Sequence, residues 1–428
     1  MAFGVFLVLF VALLFIGAPI YISMLLPSIL YVFMNPMLPP LTFMQKLLTA
    51  LNNFPLLAVP FFILAAEIMN TGSITERIFG FAKAVVGHFR GGLGYVNIVA
   101  SVIFSGMSGS AIADVGGLGQ IELKAMREAG FDDDFSIGIT GASGTVGPII
   151  PPSIPFVVYA SFVGTSTGAL FIGGMIPGIV MSLCLAAMCF YKSKKRNYPR
   201  EKRVTAKEFW KTFQNSFLAL CMPLLIIGGI WTGWFTPTEA AMVAILYAII
   251  LTCFIYRETR VRDLPKVIMN ALRNVLPVLL IVVGATVFSF IINYEKVDQM
   301  VMELLTGFTS NKYVVLVLVN VVILIFGMFF DSIVAILLMA PIVTPLCGIY
   351  GIHPVHLGVV IVLNLMIGLL TPPVGTSLYL LSIMTGYKVT RIIRMTVPWL
   401  VPLFISLIMI TYCDWFVLFL PRLLGFIA

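Results

Sequence analysis

Residues 147–155 read G-P-I-I-P-P-S-I-P and lie inside an apolar run that predicts a membrane crossing. Four prolines and a glycine in nine residues do not fit a continuous helix. Proline has no N–H to donate, and its ring collides with the preceding turn. A helix broken within lipid leaves bare carbonyl and N–H groups, tolerable only where the break is buried in protein or lines a polar cavity. Residues 368–375, G-L-L-T-P-P-V-G, echo the stretch: an offset of 221 carries Gly147, Pro151 and Pro152 onto Gly368, Pro372 and Pro373. Two interrupted hydrophobic segments at matching positions of two halves mark the binding site of a secondary transporter.

The chain has 428 residues, 60% hydrophobic and 10% charged. Soluble domains carry about 25% charged residues, so this is a polytopic membrane protein. The excess of 26 Lys/Arg over 18 acids therefore reports loop orientation, with no nucleic-acid partner implied. Six cysteines form no C-x-x-C pair and read as small apolar residues. His353 and His356 lack further ligand-type neighbours. The first apolar run has neither a basic leader nor a small-residue cleavage site, so it reads as a membrane helix. Without a G-x-x-x-x-G-K-[ST] phosphate loop, ATP-driven pumping is not expected. No cofactor and no enzymatic activity are expected, since the acids at membrane depth are isolated.

Working outward from the break, the pattern divides the chain into five parts. Residues 1–53 form an N-terminal helical region, with 3–33 either one long span or a kinked pair. Residues 54–191 form a first unit: a span at 54–69, an amphipathic arm at 74–89, a hairpin at 92–126 and the broken helix at 135–162, followed by a span at 170–191. Each hairpin flank is shorter than the roughly 20 residues a span needs, so the hairpin is read as re-entrant, its tip at S-G-M-S-G-S, 105–110. Residues 192–266 hold a long basic loop (192–211), two spans at 213–234 and 238–256, and a second basic loop (257–266). Between the spans, Thr236, Pro237 and Glu239 fit a capping box, which explains Glu239 structurally. Residues 267–420 repeat the first unit: a span at 277–292, an arm at 297–306, a hairpin at 313–347, a broken helix at 357–384 and a last span at 397–420. Residues 421–428 are a tail. The same offset also carries Gly106, Met107, Ser161 and Pro177 onto Gly327, Met328, Ser382 and Pro398.

If loop 192–211 is cytoplasmic, counting spans puts 76–90, 119–131, 257–273 and 388–394 on its side. Of the 26 Lys/Arg, only Lys46, Lys296, Lys312 and Arg422 then fall elsewhere, as the positive-inside rule requires. The two arm-and-hairpin units then start from opposite sides. The fold class expected is an all-α polytopic membrane protein of two inverted repeats, each with a re-entrant hairpin and a discontinuous helix.

Each repeat pairs a hairpin tip with a helix break. Ser105 and Ser108 offer hydroxyls beside the free carbonyls of 147–152. Gly327 lies beside the turn 368–374, where Thr371 adds a hydroxyl. Hydroxyls and unwound carbonyls are hard oxygen ligands suited to Na⁺. Asp331 is an acid at membrane depth, which is functional by default. Its offset partner is Ser110, so both are expected to face one central cavity. Asp114 reads as a fixed acceptor for its hairpin, and Glu67 and Asp414 as solvated or paired.

Four motifs in order, F-S-G-M-S-G-S-A-I-A-D (104–114), G-P-I-I-P-P-S-I-P (147–155), F-T-P-T-E-A-A (235–241) and L-L-T-P-P-V-G (369–375), resemble the large membrane subunit of tripartite ATP-independent periplasmic (TRAP) transporters. The likeness covers nearly the whole chain. It implies Na⁺-driven uptake of an organic acid by an elevator motion in the bacterial inner membrane. It also implies two partners, a small four-helix membrane subunit and a periplasmic substrate-binding protein. The small subunit is often fused ahead of the large one. Because this chain starts at the large subunit, a separate small polypeptide is expected. The family's first sodium site falls on Ser105, Ser108, Gly147, Ile150 and Pro152, and its second on Gly327, Gly368, Thr371 and Val374. The sequence looks most like the sialic-acid branch, which places Ser110, Ser153 and Asp331 at the substrate. The readings set against this are C4-dicarboxylate uptake within the same family and a standalone sodium–dicarboxylate carrier. The latter resembles its relatives through S-N-T-type tips, whereas the tips here are S-G-S and F-D-S.

Overall fold

A computed structural model describes residues 2–427, and its regular elements are helical. The chain opens with α1 (Ala2–Ile16) and α2 (Ile20–Met34), parted at Gly17, whose φ of 81° turns the chain ahead of Pro19. The two pack against each other, so 3–33 is a pair. Next come α3 (Pro40–Leu51), a 3₁₀ turn at Phe54–Leu57, α4 (Ala58–Asn70) and the arm α5 (Ile74–Val86). The first hairpin is α6 (Gly92–Ser108) and α7 (Ala111–Glu128). The first broken helix is α8 (Asp133–Gly144), a 3₁₀ turn at Gly147–Ile149 and α9 (Ile154–Val163). It is followed by α10 (Thr167–Arg196). Then come α11 (Ala206–Trp231), α12 (Pro237–Ile249), which continues as a π turn at Ile250–Ile255, and α13 (Leu264–Tyr294). The second unit holds the arm α14 (Val297–Phe308), the hairpin α15 (Lys312–Phe329) and α16 (Ser332–Val343), and the short α17 (Leu346–Tyr350). Its broken helix is α18 (Pro354–Gly368) and α19 (Thr376–Thr385), before α20 (Val389–Tyr412) and α21 (Trp415–Leu423). Among the described residues six helices are long and apolar enough to cross a membrane, or eight if each bent pair is one span.

Three boundaries differ from the sequence reading. The basic stretch 192–211 is mostly helical: α10 runs to Arg196, and α11 starts behind a capping box of Thr205 and Glu208. Lysines and arginines suit the negative end of a helix dipole, so charge here did not mean loop. Helix α13 starts at Leu264, with Pro265 in its first turn, and runs through Pro277. The expected last span, 397–420, is two helices, because α20 ends at Tyr412 and α21 follows separately. The expected capping box holds: the Thr236 hydroxyl accepts from the Glu239 N–H at 3.3 Å, and Glu239 accepts from the Thr236 N–H at 2.8 Å.

The inversion of the repeats is visible at the two ends of α13. The first arm starts beside the loop that precedes α13: the Ser73 N–H donates to Glu258 Oε2 at 2.6 Å, and Arg77 Nη2 lies 3.2 Å from Glu258 Oε1. The second arm starts where α13 ends, 31 residues on, or roughly 46 Å at 1.5 Å per residue. The Tyr31 hydroxyl of α2 donates to Glu295 at that far end.

The halves interlock. Helix α8 packs on α20, where a Cβ on Gly138 would lie 2.3 Å from the Trp399 ring. Helix α9 packs on α16 and on α18, where a Cβ on Gly358 would lie 2.4 Å from Tyr159. Small residues of this kind let membrane helices approach closely. The broken helices are innermost, with α18 buried from Val355 to Gly368 and α8 from Phe135 to Gly144. That is the burial an interrupted helix needs in lipid. The hairpins, broken helices, α10, α20 and α21 thus form one body. A second body consists of α1–α5 and α11–α13, with α4 packed on α12 and α13, and α5 on α11; across the boundary α5 also packs on α6, and α13 on α16.

Candidate functional site

Each tip is held on its own helix break by the backbone. At tip 1, Gly109 (φ 59°) closes α6, and its carbonyl accepts from the Ile154 N–H at 3.3 Å. A Cβ on Gly109 would lie 2.8 Å from the Pro152 carbonyl oxygen. At tip 2, the Gly375 N–H donates to the Met328 carbonyl at 3.0 Å, and a Cβ on Gly368 would lie 2.6 Å from Gly327 Cα. The matched residues Ser110 and Asp331 do the same local job. Ser110 Oγ accepts from the Ala113 N–H at 3.4 Å and caps α7. Asp331 Oδ1 accepts from the Ile333 N–H at 3.0 Å and caps α16. The peptide bonds Pro151–Pro152 and Pro372–Pro373 are both cis.

Both tips line one cavity of about 860 Å³. Ser108 to Ala113 enter from tip 1 and Asp331 to Val334 from tip 2, with Pro148, Ile154 and Pro155 beside them. The opposite wall belongs to the second body: Glu67 and Asn70 of α4, Thr75 and Glu76 of α5, and Arg273 and Asn274 of α13. The cavity therefore reaches the end of the molecule that carries Glu258 and the basic loops. Glu67 is paired, accepting from Asn274 Nδ2 at 2.6 Å. Ser153 is apart from this wall: it is fully buried, and its hydroxyl caps α9 by accepting from the Phe156 N–H at 3.2 Å. The residues that sequence reasoning missed are Asn70, Gln120, Arg273 and Asn274. The signal for the last two was a polar pair three and four residues ahead of Pro277, passed over because the helix was expected to start there.

The oxygen-rich positions gather in two places. A Cβ on Gly147 would lie 3.5 Å from Ser105 Cβ and 3.9 Å from Asp114 Oδ2. Ser105 donates its proton to the Val102 carbonyl at 2.7 Å, leaving the hydroxyl lone pairs free. The Ser108 hydroxyl is buried without a partner among the described residues. The Ile150 side chain is lodged against Gly178 of α10, so Ile150, like Pro152, has only a carbonyl to offer. In the second place Gly327 and Gly368 touch, and Thr371 Oγ1 donates to the Ile367 carbonyl at 2.7 Å. The carbonyl oxygens of Leu369 and Thr371 both lie 2.9 Å from where a Cβ on Gly375 would be. Val374 adjoins them in the turn, and Thr376 and Ser377 add buried, unpartnered hydroxyls that sequence reasoning had passed over. Both sets are acceptors of the hard kind that alkali cations take. Asp114 was expected to accept bonds within its hairpin; the Ser101 hydroxyl of α6 stands beside it as a donor, though neither of its buried oxygens meets strict hydrogen-bond geometry. His353 and His356 have structural partners: His353 Nδ1 caps α18, and His356 Nε2 meets the Ile410 carbonyl at 3.0 Å.

Inverted hairpins and broken helices meeting at one cavity, apolar over most of its wall with polar groups at the tips and on α4, α5 and α13, define a membrane transporter. Residues 7–416 match the family model described as "Tripartite ATP-independent periplasmic transporter, DctM component", and the chain belongs to this family. It is 43% identical over 411 residues, 96% of each chain, to the "Sialic acid TRAP transporter large permease protein SiaM" of Vibrio cholerae. It is 42% identical over 418 residues, 98% of this chain and 68% of the other, to the "Sialic acid TRAP transporter permease protein SiaT" of Haemophilus influenzae. It is 37% identical over 380 residues, 89% of each, to the "C4-dicarboxylate TRAP transporter large permease protein DctM" of Pseudomonas aeruginosa. Among solved structures, the YdaH transporter of Alcanivorax borkumensis shares the fold, with a TM-score of 0.59 at 12% identity over 86% of this chain and 87% of that one.

Proposed function

We propose that this chain is the transporting subunit of a Na⁺-driven sialic-acid importer of the bacterial inner membrane, with loop 192–211 in the cytoplasm. It works with a small membrane subunit and a periplasmic substrate-binding protein. The observation that carries the reading is the shared cavity, in which Ser110 and Asp331 of two inverted hairpins face a wall contributed by a separate body. Sodium enters as co-substrate. Ser105, Ser108 and the carbonyls of Gly147, Ile150 and Pro152 hold one ion, and Gly327, Gly368, Thr371 and Val374 hold the other. In both sets a hydroxyl proton is already given to a helix carbonyl, so the oxygen is free to accept a cation.

Substrate chemistry follows from charge. The cavity wall carries Glu67, Glu76 and Asp331 against Arg273. A sugar acid brings one carboxylate and many hydroxyl and amide donors. Asp331 takes donors, and the carboxylate goes to Ser110 and the side from which Arg273 enters. A C4-dicarboxylate brings a second negative charge and no comparable donors, which this wall disfavours. The similarity to SiaM and SiaT supports the same choice. Transport is an elevator motion: the tip-bearing body slides against α4, α5 and α13 and carries the site from one face to the other. On this reading a cavity that reaches the basic end is the inward-facing position of the cycle.

The test is uptake into proteoliposomes with both partners, comparing sialic acid with C4-dicarboxylates, in Na⁺ and in K⁺ under a clamped membrane potential. Sialic-acid uptake that needs Na⁺ is expected. Ser108→Ala and Thr371→Ala each remove one oxygen ligand but leave the carbonyls, so each is expected to raise the Na⁺ requirement without abolishing uptake. Equal uptake in K⁺ overturns the coupling, and preference for a dicarboxylate overturns the substrate.

A further inference from the structure

Asp114 lies one turn past tip 1, on the first turn of α7, and is 1% exposed. Among the described residues it is the only carboxylate with both oxygens buried and no hydrogen bond of strict geometry; the Ser101 hydroxyl is the neutral donor beside it, and no Lys or Arg bridges it. A buried carboxylate persists only when something compensates it. What faces it otherwise is the helix break. A Cβ on Gly147 would lie 3.9 Å from Asp114 Oδ2. At Gly144 the space is closed by Val115, whose Cγ2 would lie 2.4 Å from an added Cβ, so Gly147 is the glycine that leaves room for an atom beside the carboxylate. Ser105 borders the same place, its hydroxyl proton already given to Val102. Apart from the Ser101 hydroxyl, the polar groups named there are acceptors, which suits a cation and repels an anion. Carboxylate, hydroxyl and carbonyl oxygens favour a hard ion over a soft metal.

The repeat offers an internal comparison. The 221 offset places Ala335 opposite Asp114, and Ala335 is fully buried. The second position, at Gly327, Gly368, Thr371 and Val374, therefore has no carboxylate at the matching place. Glu122, the other buried acid of α7, stands eight residues on, roughly 12 Å along the helix, and belongs to neither set. We propose that Asp114 is the charge-bearing group of the first sodium position, that it makes the two positions unequal, and that the first binds Na⁺ more tightly and fills first. This rests on the sodium reading above.

The experiment is thermal unfolding of the purified full-length chain in lipid nanodiscs, titrated with NaCl against KCl at constant ionic strength. For the native chain a biphasic Na⁺-specific stabilisation is expected. Asp114→Asn keeps the side-chain volume and removes the charge, so the high-affinity phase is expected to weaken tenfold or more. Thr371→Ala is expected to shift only the low-affinity phase. Asp114→Asn titrating like the native chain overturns the assignment and leaves the sodium reading standing. A native chain indifferent to Na⁺ overturns both. Should Asp114→Asn not fold, the Na⁺-minus-K⁺ difference infrared spectrum of the native chain decides: a shifted carboxylate stretch at low Na⁺ is expected, and its absence overturns the assignment.

Discussion

Asp331 has two roles that one substitution confuses and two substitutions separate. It caps α16 through Oδ1, and it lines the cavity. Replacing a capping acid with alanine costs about 1 kcal/mol of stability; serine, the residue the first repeat carries at Ser110, keeps the cap. Asp331→Ala is therefore expected to lose sialic-acid uptake and some melting temperature, and Asp331→Ser to lose at least tenfold of the uptake with little thermal cost. Uptake by proteoliposomes and scanning fluorimetry read the two effects. Native uptake by a folded Asp331→Ser would remove the acid from the substrate's path. The glycine contact at tip 2 makes a steric prediction at the same scale. A Cβ on Gly368 would lie 2.6 Å from Gly327 Cα, whereas one on Gly307 meets nothing within 4 Å. Overpacking against backbone costs about 1–3 kcal/mol or more, while alanine in an open helix position gains roughly 0.5–1 kcal/mol. Gly368→Ala is expected to lower the melting temperature and Gly307→Ala to leave it level or raise it.

At the scale of elements, the first arm is fastened to the loop before α13 by one carboxylate. Glu258 accepts from the Ser73 N–H and hydroxyl and pairs with Arg77, whose guanidinium also stands 4.0 Å from the centre of the Tyr256 ring. Partial burial works to raise the Glu258 carboxyl, but the Ser73 bonds and Arg77 outweigh it and hold it below the usual glutamate range. A lowered carboxylate contributes stability that is full above its ordinary pKa of about 4.3 and is lost as pH falls through the lowered value. Both partners are about a quarter exposed, so the ion pair contributes on the order of 1 kcal/mol or less. Glu258→Gln is expected to melt lower than the native chain at neutral pH, and the gap is expected to close as pH drops below about 4. A gap independent of pH would mean that the side chain acts by shape and not by charge.

For the whole molecule, the decisive question is whether the two bodies must slide. Gly117 of α7 and Asn70 of α4 face each other across their boundary, with a Cβ on Gly117 falling 3.5 Å from Asn70 Oδ1. Cysteines at the two positions therefore test whether the boundary can be locked. In a background where the six native cysteines are replaced, the pair Asn70→Cys and Gly117→Cys is expected to cross-link under oxidation and stop uptake, with recovery on reduction. Uptake by a fully cross-linked chain would rule out sliding along α4.

The breaks, the tips, the repeat and the class of protein were legible in the residues, because each rests on local chemistry. Proline lacks a donor wherever it stands, glycine alone closes a left-handed turn cheaply, and charge bias follows the loops one by one. Ser110 and Asp331 were legible together because the offset ties them. Helix ends were less legible: 192–196 and 264–276 carry charges that suit a helix terminus as well as a loop, and neighbouring helices settle which. The far wall of the cavity was out of reach, since Glu67 and Asn274 are bonded across 207 positions and nothing in either segment names the other. Asp114 marks the same boundary. Its type and spacing suited a bonded hairpin acid, and the Ser101 hydroxyl of that hairpin does stand beside it, but only the packing of the helix break against α7, with a glycine at 147, set the carboxylate next to Ser105 at the first oxygen-rich position.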